Sequence, residues 1–155
     1  AVVRAGLGHN AVSLQESVAM TVLTRWHDAM MKRDPSLLDD LIAEDCVFYS
    51  PVVHTPQQGK ALTEMYLTAA MHVLGNNQFR YVREIADENQ AMLEFEAVND
   101  GITINGVDIF TWNAEGKIDS FKVMVRPLKA VNMLHANMRA MLESFSAGDS
   151  QNVAD

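Results

Sequence analysis

The sequence of 155 residues lacks the features that mark several classes of protein. It contains one cysteine, Cys46, so no disulfide forms within it, and no group of cysteines and histidines has the spacing of a zinc site. No apolar run approaches the ~20 residues that span a bilayer, so no membrane association is expected. The first residues carry no apolar signal core, and we therefore expect a reducing, cytoplasmic setting.

Positive charge is also scarce. The sequence has 12 Lys and Arg against 20 Asp and Glu, a net charge of −8. Such a surface repels phosphate backbones, so no nucleic acid partner is expected. There is no glycine-rich phosphate loop and no cluster of metal ligands, and we expect no cofactor. What is present is typical of a globular chain: 48% apolar and 21% charged residues, and a length that fits one domain over residues 1–155.

Helical periodicity dominates the first half of the chain. Ser13 and Glu16 have the spacing of a capping box, and apolar residues then recur every four positions. Asp34-Pro35 starts another helix, because Asp is a good N-cap and Pro fits the first helical position. Together the patterns predict flexible residues 1–12, helices near 13–32, 35–42 and 60–74, a strand at 46–50 and a loop at 51–59.

After Gly75 the apolar period changes to two, which is typical of strands. The short turns at 87–89, 99–101 and 113–116 predict that consecutive strands are antiparallel neighbours. Helices segregated from an antiparallel sheet predict an α+β domain. The predicted strands lie near 78–86, 91–99, 102–113 and 117–126, and a C-terminal helix follows Pro127, with residues 148–155 expected to be flexible.

Two segments resemble a known family. Gly106-Val-Asp-Ile-Phe-Thr-Trp-Asn-Ala-Glu-Gly-Lys-Ile118 is similar to a hairpin of bacterial ketosteroid isomerases, and Ser50-Pro51 with Gly59 resembles their Asp-Pro…Gly segment. Over residues 14–127 the order of elements resembles the SnoaL-like, or nuclear-transport-factor-two-like, superfamily. The resemblance implies a cystatin-like cone, in which a strongly bent antiparallel sheet wraps around N-terminal helices, with an extra C-terminal helix.

One of the isomerases' three chemical positions carries over. The resemblance implies that Asp108 stands at the position of their second oxyanion donor. Their carboxylate base is replaced by Ser50, whose hydroxyl does not take a proton from carbon near neutral pH without an activating base. Their tyrosine donor is replaced by Trp26, whose indole N–H donates a hydrogen bond but does not exchange protons. The similar limonene-epoxide hydrolases place an Asp where Val123 stands, and no Arg partner is found, so the sequence argues against both activities.

Strand period predicts which side chains face the interior of the cone. If Asp108 faces inward, so do Phe110 and Trp112, and apolar surroundings push a carboxyl toward its neutral form. His54, in the loop after Pro51, is expected near the mouth of the cone as a candidate general base. The predicted lining suits a mostly apolar ligand with one polar group. It consists of Trp26, Met30, Phe48, Ser50, Leu67, Met71, Phe95, Phe110, Trp112, Phe121 and Val123.

Three functions stay open on the sequence. One is a small enzyme that transfers a proton on an apolar carbonyl, enol or epoxide-like molecule, with Asp108 as acid or oxyanion donor and His54 as base. Another is a noncatalytic binding protein for a small apolar molecule, favoured by the missing base at Ser50. The last is an association module, in which the outer face of the sheet, including Tyr81, Met92 and Met124, joins two copies as a homodimer.

Overall fold

The structure, a computed structural model, describes residues 6–76 and 78–151. Helices and an antiparallel run of strands occupy separate parts of the chain, which confirms the predicted α+β class and the C-terminal helix. In chain order the elements are α1 (Gly6–Lys32), a 3-10 helix (Pro35–Leu38), β1 (Ile42–Tyr49), β2 (Gln57–Gln58), α2 (Lys60–Leu74), β3 (Arg80–Ala86), β4 (Gln90–Asn99), β5 (Ile102–Trp112), β6 (Ile118–Arg126) and α3 (Leu128–Gln151).

The six strands form one mixed sheet in the order β2-β1-β6-β5-β4-β3. Strands β3 to β6 are consecutive antiparallel neighbours, as the short turns predict. In the turn between β4 and β5, Asp100 and Gly101 both have positive φ, 51° and 73°, the conformation of a two-residue turn that matches strand twist. The pair β1 and β6 is parallel, with Phe48 beside Phe121. Between these two strands the chain forms β2, α2 and the strands β3 to β5.

Two predicted boundaries are wrong. Helix α1 begins at Gly6 and not at Ser13, so the capping-box spacing lies inside the helix and helical structure extends into the segment 6–12; residues 1–5 and 152–155 lie outside the described residues. The predicted helix after Asp34 is one 3-10 turn, and Ile42 already belongs to β1. Pairing with β6 decides this, since Ile42 is the register partner of Ile118 and the Ile118 N–H donates to the Leu41 carbonyl at 2.8 Å.

Two apolar clusters fill the concave side of the sheet. The larger lies beneath α1 and α2, where the ring centroid of Trp26 is 4.9 Å from that of Phe121, and Phe110 and Phe121 stack at 5.3 Å. The smaller includes Phe95 and is covered by α3 through residues such as Leu134. In the part of the chain that the structure describes, no helix is long and apolar enough to cross a membrane. The two clusters contain most of the apolar side chains that the sequence predicts for the cone.

Candidate functional site

A carboxyl group is buried on the concave face of the sheet. Asp108 lies in β5, opposite Leu93 on one neighbouring strand and Val123 on the other, and is 6% exposed. The Tyr81 hydroxyl donates a hydrogen bond to Asp108 Oδ2 at 2.7 Å. The Trp26 Nε1–H in turn donates to the Tyr81 oxygen at 3.0 Å. The strand period thus places Asp108 correctly on the inward face, and the structure adds a chain of three polar side chains from α1, β3 and β5.

The apolar surroundings change the acidity of both oxygen groups. Burial raises the pKa of Asp108 from 3.8 to about 7, and the hydrogen bond from Tyr81 lowers it only in part. Burial, followed by the neighbouring Asp108, raises the pKa of Tyr81 well above 10.0. Near neutral pH, Asp108 is therefore present in both protonated and ionised forms, whereas Tyr81 keeps its proton.

The protonation state of Asp108 decides what the site can donate. Within the described residues, the Asp108 carboxyl has one hydrogen bond, which its Oδ2 accepts from the Tyr81 hydroxyl. When Asp108 is ionised, its carboxylate accepts the one O–H proton of the pair, so no O–H of the pair is left for a ligand. When Asp108 is protonated, the pair holds two O–H protons, and the bond between them uses one. The second proton can then be donated to an oxygen atom of a ligand.

Tyr81 lies on the inner face of the sheet, so the expectation that it lies on the outer face is wrong. Tyr81 pairs with the inward-facing Phe95, and a register irregularity follows at once, between Tyr81 and Arg83. An extra residue in one strand shifts the inward and outward alternation on either side of it. Counting back in twos from the exposed end of β3 therefore gives the wrong face for Tyr81.

Tyr81 also borders a surface cleft of about 310 Å³. This cleft, here called the Tyr81 cleft, lies between the end of α1, the end of α2 and the start of β3. Of the lining predicted from the sequence, it contains Met30. Its full lining consists of His27, Met30, Met31, Arg33, Gly75, Asn76, Phe79, Arg80 and Tyr81.

The other predicted lining residues come together mainly as a packed core. Their side chains belong to the two apolar clusters or pack against them: Trp26, Phe48, Leu67, Met71, Phe95, Phe110, Trp112, Phe121 and Val123. Three predicted residues, Phe48, Ser50 and Val123, border a second, apolar cavity of about 50 Å³ that Leu134 and Met138 of α3 also line. That volume is far below the 300 Å³ or so at which ligand pockets begin.

The two predicted positions outside the core lie in the loop after β1. The Ser50 hydroxyl accepts hydrogen bonds from the backbone N–H groups of Val52 at 3.1 Å and Val53 at 3.4 Å, so it shapes this loop. His54 is exposed, and no hydrogen bond joins it to Asp108 in residues 6–76 and 78–151. Its assignment as a base stays a prediction.

The convex face of the sheet carries a groove of about 390 Å³ with an apolar floor. Ile85, Met92 and Met124 line it and are 61%, 44% and 53% exposed. At its edge, Arg83 Nε lies 3.4 Å from Glu94 Oε1. This groove is the surface that the sequence assigns to self-association.

Comparison with known proteins gives a consistent picture of the fold. A family model described as a SnoaL-like domain matches residues 23–121, which leaves α3 outside the match. The chain is 33% identical to a steroid delta-isomerase from Pseudomonas aeruginosa, with a TM-score of 0.79, covering 84% of this chain and 95% of that one. No curated protein matches the sequence.

Two further solved structures are similar. An uncharacterized bacterial protein with a cystatin-like fold from Silicibacter pomeroyi is 27% identical, with a TM-score of 0.70 over 85% of this chain and 89% of that one. The epoxide hydrolase/cyclase-like enzyme SalBIII, described for pyran ring formation in the polyether salinomycin, is 19% identical, with a TM-score of 0.58 over 73% of this chain and 94% of that one. These similarities confirm the predicted cystatin-like fold.

Proposed function

The chain belongs to the SnoaL-like domain family, and from that premise we propose that it binds a small, mostly apolar molecule and transfers a proton at an oxygen-bearing group of that molecule. The observation that carries the proposal is the hydrogen bond between Tyr81 and Asp108, buried among apolar side chains. A carboxyl whose pKa is about 7 can both give and take a proton near neutral pH. The similar steroid delta-isomerase supports an apolar carbonyl compound as the substrate class.

Each member of the chain of polar groups has a distinct role in this proposal. Asp108 in its protonated form supplies the proton or the hydrogen bond to the ligand oxygen. Tyr81 keeps its proton because burial raises its pKa, and its hydrogen bond to Asp108 holds the carboxyl in place. Trp26 is a positioning residue, because its indole N–H holds the Tyr81 oxygen at 3.0 Å.

An exchange experiment tests the proposal directly. The α protons of 2-tetralone, an apolar ketone, would be followed by proton NMR in D₂O with wild-type protein, Asp108→Asn, Tyr81→Phe and Glu115→Gln. We expect the wild type and Glu115→Gln, which removes an exposed carboxylate, to speed the exchange equally. Asp108→Asn should slow it about 100-fold, the usual scale of general acid–base catalysis. Equal rates for wild type and Asp108→Asn would contradict the proposal.

A noncatalytic binding protein is the second candidate. It is favoured because Ser50 stands where the resemblance places a base, and its hydroxyl is already engaged by the N–H groups of Val52 and Val53. In that case 2-tetralone would shift the amide signals of residues around Tyr81 without any faster exchange. If His54 acts as the base, His54→Gln would abolish the exchange, whereas His72→Gln, at another exposed histidine, would not.

We also propose that two copies associate through the convex groove, as the sequence leads us to expect. Ile85, Met92 and Met124 expose a continuous apolar surface, and both charge signs lie at its edge, so the same patch on two copies is self-complementary. Met124→Glu should convert a dimer to a monomer in sedimentation velocity experiments. Met20→Glu, at a 70% exposed methionine on α1, is the matched control. A wild-type monomer at micromolar concentration would refute the association.

A further inference from the structure

We infer that the Tyr81 cleft takes an apolar ligand that carries an anionic group, and that the guanidinium of Arg33 binds this group. The inference rests on the proposed small-molecule function and names the class of molecule. Its first support is charge. Three basic side chains, His27, Arg33 and Arg80, line the cleft, and no Asp or Glu does. Carboxylates outside the lining lie beside His27 and Arg80, so the unpaired positive charge of the lining is that of Arg33, which favours an anion.

Arg33 is the basic group in the cleft that is available to a ligand. Arg80 Nη2 lies 2.7 Å from Glu96 Oε2, and His27 Nε2 lies 2.6 Å from Glu84 Oε1, so both have acidic partners. The guanidinium of Arg33 has no ion pair or hydrogen bond within the described parts of the chain. A ligand carboxylate could therefore pair with Arg33 in a bidentate way without displacing a protein group.

The backbone at Arg33 adds independent support. Arg33 follows the last residue of α1 and has a φ of +50°. The helix ends there with the Asp34 N–H donating to the Ala29 carbonyl at 3.2 Å, an arrangement in which glycine usually occupies the left-handed position. Any residue with a Cβ is strained in that conformation. A strained position that holds an arginine instead of glycine is typical of a site where the side chain has a use.

The side chain of Arg33 lies in the lining of the cleft, beside the end of α2. A Cβ built on Gly75 would lie 3.5 Å from Arg33 Cδ, so the arginine passes directly over the end of α2. Met30, Phe79 and Tyr81 also line the cleft and offer an apolar surface, and the rings of Phe79 and Tyr81 meet edge to face at 5.2 Å. A ligand with its anionic group at Arg33 therefore lays its apolar body against Tyr81.

Two fluorescent probes of similar shape test the inference. 8-Anilinonaphthalene-1-sulfonate is an apolar anion, and N-phenyl-1-naphthylamine is nearly the same molecule without the charge. Both would be titrated against wild type, Arg33→Gln, Arg33→Gly and Arg25→Gln at low ionic strength. Amide chemical shifts of Gly75, Asn76 and Phe79 locate the bound probe. Arg25→Gln removes the same charge from an exposed position on α1 outside the cleft, and is the matched control.

We expect both Arg33 variants to weaken binding of the anionic probe about fivefold and to leave the neutral probe unchanged. Arg33→Gly should do so without lowering the urea denaturation midpoint, since glycine relieves the strain. Unchanged affinity for the anion, or equal weakening of both probes, would overturn the role of Arg33 while leaving the proposed function intact. Failure of both probes to shift the amides of the cleft would instead count against ligand binding there at all.

Discussion

Replacing Asp108 with Asn tests the electrostatic account of the buried site. The native state holds the proton of Asp108 more tightly than the unfolded chain, because burial raises the pKa of the carboxyl from 3.8 to about 7. Its contribution to stability is therefore complete below the unfolded pKa. It falls as the pH rises toward the folded pKa and is constant above it. Asn removes the ionisation and keeps an oxygen that accepts the hydrogen bond from Tyr81.

The size of the effect follows from the shift. A pKa difference from 3.8 to about 7 corresponds to about 4 kcal/mol over the full range. The part that falls between about pH 5 and pH 8 is about 2–3 kcal/mol, because the unfolded carboxyl is already mostly ionised at the lower pH. Relative to Asp108→Asn, the wild type should thus lose about 2–3 kcal/mol of unfolding free energy over that interval.

Urea denaturation followed by far-ultraviolet circular dichroism measures the difference at each pH. Comparing the two proteins removes the contribution of all other titrating groups, provided that both unfold in two states. Glu115→Gln, which removes an exposed carboxylate, is the control. A difference between wild type and Asp108→Asn that is constant from about pH 5 to pH 8 would refute the buried, proton-retaining carboxyl.

Three further predictions follow from single contacts. Tyr81→Phe leaves the Trp26 N–H and Asp108 Oδ2 without their partner, and should cost about 1–3 kcal/mol in urea denaturation; an unchanged midpoint would show that water replaces the hydroxyl. Gly106→Ala places a Cβ 2.4 Å from Phe95 Cζ and 2.8 Å from the Met124 carbonyl oxygen, and should cost about 1–3 kcal/mol, whereas full stability would mean that Phe95 moves aside. Burial raises the pKa of the Cys46 thiol to about 11, so a thiol reagent such as iodoacetamide should modify Cys46 only when urea unfolds the protein; rapid labelling of the native state would contradict its burial.

The sequence is most informative where local pattern and tertiary packing agree. The alternation in β5 places Asp108 and Phe110 on the inward face because this strand is paired on both sides, so its register is fixed by neighbours that are also half-buried. The turn Asp100-Gly101 is likewise predictable, since few residue pairs adopt two positive φ angles. The fold class follows from such elements.

The candidate site is less predictable because it depends on features that a period does not encode. Tyr81 lies beside a register irregularity, and the strand period does not continue across it. The Tyr81 cleft joins the end of α1 near Arg33 to Gly75 and Phe79, and no local pattern predicts that these segments meet. Apolar character also does not reveal whether side chains surround a cavity or fill it, since that depends on their volumes and rotamers.

The hydrogen bond between Trp26 and Tyr81 changes how the indole at position 26 is interpreted. The resemblance places a hydroxyl donor on the first helix, but here β3 supplies the hydroxyl to Asp108 and α1 supplies an N–H that aligns it. Because the free donor exists only when Asp108 is protonated, a ligand oxygen that accepts it must bind the protonated form more tightly and raise its pKa. Binding of 2-tetralone should therefore weaken between about pH 5.5 and pH 8.5 in the wild type, but not in Asp108→Asn, whose amide has no such proton to lose. If the wild type bound the ketone equally well at about pH 5.5 and pH 8.5, the ketone oxygen would not be held by Tyr81 and Asp108.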